Sequence, residues 1–186
     1  MTEMEMFTKA VVFASQKHRE QTRKDGKTPY FYHLMAVAEI VKDAGYDIKT
    51  QITAFLHDTL EDTDATESEI LEFGPDVLEA VKLLTREEGI DESQYVARIL
   101  ANKMASAVKN ADKMHNVYEA SYCNDKTWGR KYIEKAEKYY SGKFTRALDD
   151  VIASAKTTCG GCKSRRGPIL YDPEAMTLYS DVKANT

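Results

Sequence analysis

Apolar residues recur at spacings of three and four along nearly the whole chain, and that period restricts it to packed helices. Met4, Phe7, Val11, Ala14 and His18 share one face of a first helix, and Thr2 with Glu5 is spaced as a capping box at its start. His33, Val37, Ile40 and Ala44 line a second helix, which Gly45 can close in a left-handed conformation. A third is predicted over 48–59, with Ile52, Phe55 and Leu56 apolar. Thr66 and Glu69 form another capping box, opening a short helix that stops at Gly74; Pro75 suits the first turn of the next, 75–84. Further helices are expected over 93–104, 105–122 and 130–156. No strand pattern precedes Thr157, so the fold class is all-α, a helical bundle. The tail changes character. Residues 168–171 and 176–179, separated by Asp172-Pro173-Glu174-Ala175, read as a β-hairpin. The expected division is one domain over 1–157 and a tail over 158–186.

The formal charge of −4 argues against a nucleic-acid partner, which normally meets a net basic face. It leaves room for a small anionic substrate wherever positive charge is concentrated locally. No apolar run approaches the roughly 20 residues of a membrane span. The start, Met1-Thr2-Glu3-Met4-Glu5-Met6, lacks the basic and apolar regions of a signal peptide, so a cytoplasmic protein is expected. Three cysteines do not make a disulfide scaffold. Cys159 and Cys162 are at best half of a structural zinc site, because Cys123 is the only other thiol. Apolar residues such as Met104, Tyr139 and Tyr140 suit a core or a homo-oligomer interface equally well.

The chemistry centres on His57-Asp58. This pair follows Ala54-Phe55-Leu56 and is therefore drawn toward the interior, where an uncompensated charge is costly. A divalent cation resolves that cost, since imidazole and carboxylate are both ligands. Glu61 and Asp62 follow within about one turn and would stand beside such an ion, placed to steer a water. Without a cation, this is an acidic helix end that the helix dipole disfavours. His33 alone reads as a core histidine, and Asp112 alone as a solvated helix carboxylate. Together, His33, His57, Asp58 and Asp112 supply two imidazoles and two carboxylates, a set that suits manganese, with iron, magnesium or zinc as alternatives. One ion is expected rather than two, because only His18 and His115 remain and the His-Asp pair occurs once. His18, Arg19, Arg23, Lys24 and Lys27 concentrate positive charge in the first loop. The planar guanidinium of Arg23 can pair with phosphate or stack on a base; alone, the segment reads as a solvated loop.

The order and spacing of three stretches resemble a known family. They are His18-Arg19-Glu20-Gln21-Thr22-Arg23-Lys24-Asp25-Gly26-Lys27-Thr28-Pro29-Tyr30 followed by His33, Leu56-His57-Asp58-Thr59-Leu60-Glu61-Asp62-Thr63, and Lys109-Asn110-Ala111-Asp112-Lys113-Met114-His115-Asn116. The pattern resembles the HD hydrolase domain of RelA/SpoT homologues, especially the stand-alone small alarmone hydrolases of the metazoan SpoT-homologue type. It covers most of the chain. Leu34, Lys113 and Leu60 depart from the residues usual in the family, and none of them is a proposed ligand.

The resemblance implies an all-helical HD fold and manganese-dependent removal of the 3′-pyrophosphate from guanosine tetra- and pentaphosphate, the alarmones of the stringent response. It implies metal ligation by His33, His57, Asp58 and Asp112, water activation by Glu61 and Asp62, and nucleotide contacts from Arg23, Lys24 and Asn116. His18 would support the site. The stretch after residue 156 is far too short for a nucleotide-synthetase domain, so hydrolysis without synthesis is expected. Two alternatives stand beside this reading. One is an HD phosphohydrolase acting on an adenosine alarmone, the 2′-phosphate of NADPH or a deoxynucleoside monophosphate. The other is a non-catalytic alarmone sensor, whose mark would be a lost ligand or a lost Glu-Asp pair; neither is lost.

Overall fold

Side-chain caps set where most of the helices begin. The structure, a computed structural model, describes residues 1–159 and 176–178. Among these residues β-pairing is limited to two isolated bridges, Thr22 with Pro29 and Thr145 with Leu178. The chain divides into two compact units, Met1–Lys109 and Asn110–Thr186.

The first unit contains α1 (Glu3–Lys17), α2 (Phe31–Asp43), α3 (Ile48–Leu56), α4 (Thr59–Asp62), α5 (Glu67–Leu71), α6 (Pro75–Leu84) and α7 (Glu92–Leu100). Both expected capping boxes form, Thr2 with Glu5 and Thr66 with Glu69. Asp47 caps α3 by accepting from the Thr50 N–H, and Asp91 caps α7 by accepting from Ser93 and Gln94. Each such cap satisfies an orphan donor and contributes about 1 kcal/mol. Gly45, at φ +81°, turns the chain after α2, and Pro75 opens α6.

Helix α3 packs on α1, α2 and α6. Its last five residues, Ile52, Thr53, Ala54, Phe55 and Leu56, are all buried, as expected of a helix enclosed on every side. The small residues Ala10 and Ala14 are buried on α1, and Phe7 meets Phe55 edge-on at 5.6 Å. Met4 was expected on this buried face but is exposed.

Helix α8 (Lys103–Tyr122) carries the chain from the first unit into the second, which also contains α9 (Lys126–Tyr140) and α10 (Arg146–Cys159), packed on each other. The break before α8 comes earlier than expected, because Asn102 caps it by accepting from the Ala105 N–H at 2.9 Å. The long helix expected over 130–156 is two helices. Gly142 turns at φ +70°, and Thr145 Oγ1 accepts from Leu148 N–H at 3.1 Å to start α10. Periodicity conceals this turn because the buried stripe Ile133, Ala136, Tyr140, Phe144, Leu148 and Ile152 keeps helical spacing across it. Most of the expected hairpin, and Cys162, lie outside the described residues. Among the described residues no helix is long and apolar enough to cross a membrane.

Candidate metal centre

His57 and Asp58 follow directly on the buried end of α3. The helix was expected to run on to residue 59; it ends at Leu56 and a new turn, α4, starts at Thr59. Thr59 Oγ1 donates to Leu56 O at 2.6 Å and competes for the carbonyl that a continuing helix would use. His57 is 1% exposed, whereas the Asp58 side chain keeps 19% of its surface.

The tautomer of His57 follows from its backbone contact. Nδ1 lies 2.7 Å from Ala54 O, and a carbonyl only accepts, so Nδ1 carries the proton. The Nε2 lone pair then faces Asp58 Oδ2 at 2.9 Å. Two acceptors at that separation repel unless a proton or a metal cation lies between them. His33, on the first turn of α2 and 1% exposed, directs Nε2 toward the same oxygen at 3.7 Å. One ligand atom each from His33, His57 and Asp58 lies within 4.8 Å of the others. Two imidazole nitrogens and a carboxylate oxygen converging in this way fit a divalent transition-metal ion, with the backbone contact of His57 orienting its ring.

The remaining predicted residues fall in three places. Asp112 and Asn116 lie one turn apart on the part of α8 that belongs to the second unit. Asp112 is buried and its Oδ1 accepts from Asn116 Nδ2. Glu61 and Asp62 are on α4. Glu61 Oε2 accepts from the Arg86 N–H at 2.9 Å, and Arg86 in turn makes a forked pair with Glu92 at 2.8 and 3.0 Å. Asp62 Oδ2 lies 3.4 Å from the Tyr30 hydroxyl, and its carbonyl accepts from Gln21 Nε2 at 2.6 Å. Desolvation raises the Asp62 carboxyl from its ordinary value, the charges of Asp58 and Glu61 add to this, and His18 and Tyr30 oppose it.

Arg23 and Lys24 lie in the loop before α2. The bridge between Thr22 and Pro29 closes this loop, and Arg23 N–H donates to Thr28 O at 2.7 Å. Gly26 turns it at φ +67°. Asp25 ties its inside: Oδ1 accepts from the Lys27 and Thr28 N–H groups at 2.9 and 2.8 Å, and Oδ2 accepts from Thr28 Oγ1 at 2.7 Å. The Thr28 hydroxyl and these backbone donors hold the carboxyl at about 2. A carboxyl lowered on folding keeps its contacts ionised above the ordinary value of 3.8 and loses them as pH falls through 2. Amide exchange at Lys27 and Thr28, taken relative to the intrinsic rate at each pH, is therefore expected to stay slow down to about pH 4 and to accelerate progressively from there through pH 2. In Asp25→Ala it should be fast throughout; equal protection in the variant would contradict the tie.

Sequence reading gave Tyr30, Gln21 and Arg86 no role in the site. Tyr30 donates to Asp58 Oδ2 at 2.5 Å, and its ring meets His18, His33 and Arg23. Its only signal was its place in the motif, since a tyrosine beside a proline has no distinctive chemistry of its own. The donor of the Glu61 contact is a backbone N–H, which side-chain identity cannot announce.

Against known proteins, the HD domain family matches residues 10–123. The guanosine-3′,5′-bis(diphosphate) 3′-pyrophosphohydrolase MESH1 of Xenopus tropicalis is 33% identical over 139 residues, 70% of this chain and 78% of that protein. Its Homo sapiens counterpart is 34% identical over 154 residues, 76% of this chain and 86% of that one. The GTP pyrophosphokinase rsh of Brucella melitensis biotype 1 is 38% identical over 124 residues, 60% of this chain but 16% of that protein. A solved structure, reported as a metazoan ortholog of SpoT that hydrolyzes ppGpp and plays a role in starvation responses, superposes with a TM-score of 0.62. It is 23% identical, and the match covers 83% of this chain and 96% of that one; the two share a fold.

Proposed function

The chain belongs to the HD domain family, and on that premise we propose that it hydrolyses the 3′-diphosphate of guanosine tetra- and pentaphosphate, giving GDP or GTP and pyrophosphate. The observation that carries this reading is the convergence of His33, His57 and Asp58, in a chain similar over most of its length to 3′-pyrophosphohydrolases. Manganese is the cation we assign, with Asp112 as the fourth ligand, because two imidazoles and two carboxylates suit it. When bound, such a cation supplies positive charge against the phosphates and makes a nearby water easier to deprotonate.

The chain's own residues do the rest. Arg23 and Lys24 bind the anionic end of the nucleotide, and Asn116 contacts the ribose or base. Glu61 and Asp62 orient the attacking water, and the Asp62 carboxylate receives a proton from it. The water oxygen bonds to the phosphorus next to the ribose 3′ oxygen. One water proton passes to the carboxylate, the bond from that phosphorus to the 3′ oxygen breaks, the 3′ oxygen takes up a proton from solvent, and the carboxyl returns its own to solvent. The proposal is hydrolysis without synthesis, by a domain over 1–157.

The test is product analysis. Purified protein incubated with guanosine 3′,5′-bis(diphosphate) and Mn2+ is expected to release GDP and pyrophosphate, and to release neither without metal. Intact nucleotide would mark a sensor. Orthophosphate release, or faster turnover of NADPH, an adenosine alarmone or a deoxynucleoside monophosphate in the same panel, would reassign the substrate. Incubation with ATP and GDP is expected to leave both unchanged.

A further inference from the structure

One phenol touches both sets of acids at the candidate metal centre. The Tyr30 hydroxyl donates to Asp58 Oδ2 at 2.5 Å, the oxygen that also faces the two histidines. The same hydroxyl lies 3.4 Å from Asp62 Oδ2. We infer that Tyr30 is a positioning residue: its hydroxyl fixes the metal-facing oxygen of Asp58 and sets the distance from it to the Asp62 carboxylate.

Several contacts give the phenol the rigidity this role needs. His18 stacks on the Tyr30 ring at 5.0 Å and 13°, and the Arg23 guanidinium lies 5.1 Å from its centre. His18 is itself held by Gln21 Oε1, 2.7 Å from its Nδ1, and Gln21 Nε2 donates to Asp62 O. The backbone ties Tyr30 to a proposed ligand, because the His33 N–H donates to Tyr30 O at 2.8 Å. The edge of the ring meets His33 at 5.6 Å. Tyr30 therefore links the start of α2, which carries His33, to the start of α4, which follows Asp58. The protonated phenol also offsets charge between two carboxylates that would otherwise repel.

An oxygen held by a neighbouring donor is pre-aimed at its metal, and loss of such a partner typically costs 10–100-fold in metal affinity. The inference rests on the metal-binding part of the reading above and not on the identity of the nucleotide, so its test contains no nucleotide. Free Mn2+ is followed by electron paramagnetic resonance as metal-free protein is titrated. Tyr30→Phe keeps the ring that stacks on His18 and removes only the hydroxyl. Its Kd for Mn2+ is expected to rise about 10–100-fold, with the melting temperature of the metal-free protein close to that of wild type. A Kd equal to wild type would overturn the role. Wild-type protein that binds no Mn2+ would overturn it together with the metal assignment. A second measurement keeps the phenol: 3-fluorotyrosine placed at position 30 is followed by fluorine NMR. Paramagnetic Mn2+ should broaden its resonance beyond detection, and a resonance still sharp at saturating Mn2+ would also overturn the inference.

Discussion

His57→Ala is expected to lose both bound manganese and turnover of guanosine 3′,5′-bis(diphosphate). The physical reason lies in the facing of His57 Nε2 and Asp58 Oδ2 at 2.9 Å, closer than His33 Nε2 to the same oxygen at 3.7 Å. Removing the imidazole leaves Asp58 and His33 to hold the cation with one nitrogen fewer in the first unit. A divalent cation is worth several kcal/mol at a developing phosphate charge, and tenfold in rate corresponds to about 1.4 kcal/mol. The expected loss is therefore about a thousandfold or more in kcat/KM. Mn2+ titration and steady-state kinetics on the same preparation check it. Manganese-dependent hydrolysis at the wild-type rate would remove His57 from the mechanism. His33→Ala should behave alike and guards against a local folding defect at either site.

The second large effect separates the two acids of α4. Substituting either by its amide is expected to leave Mn2+ bound while lowering kcat, because neither is among the assigned ligands. General base catalysis is worth about 10²–10⁴-fold, and the full loss is expected for Asp62→Asn. Asp62 is the carboxyl near the Tyr30 hydroxyl, with its pKa raised from the ordinary value chiefly by desolvation. Glu61 instead spends an oxygen on the Arg86 N–H, which points to a supporting share in orienting the water. The amide oxygen of Gln can still accept from Arg86, so Glu61→Gln should keep that loop in place and show the smaller loss. Equal, wild-type rates in both variants would exclude the pair from the reaction.

Much of the fold was legible because its determinants are local. A capping box needs two residues three apart, and both predicted boxes formed. A glycine at a helix end needs only its own freedom, and Gly45 turned as expected. Two element boundaries escaped for different reasons. The apolar stripe across Tyr140, Phe144 and Leu148 keeps helical spacing through a turn, so period alone could not reveal that Gly142 and Thr145 divide it. The end of α3 at Leu56 depends on which donor claims a carbonyl, a competition that Thr59 enters with its side chain.

The same boundary runs through the candidate site. Residue order alone singled out His33, His57 and Asp58 as ligand types, and placed positive charge around Arg23 and Lys24. That the three offer atoms within 4.8 Å of one another depends on α2 and α3 packing side by side. That one tyrosine reaches two carboxylates, and that a backbone N–H holds Glu61, depends likewise on contacts between segments distant in the chain. An apolar stripe announces that a face will be buried but not what will cover it. Caps, turns and ligand types are therefore written in the chain within a few residues of where they act, whereas distances between groups far apart in the chain exist only once the helices have chosen their neighbours.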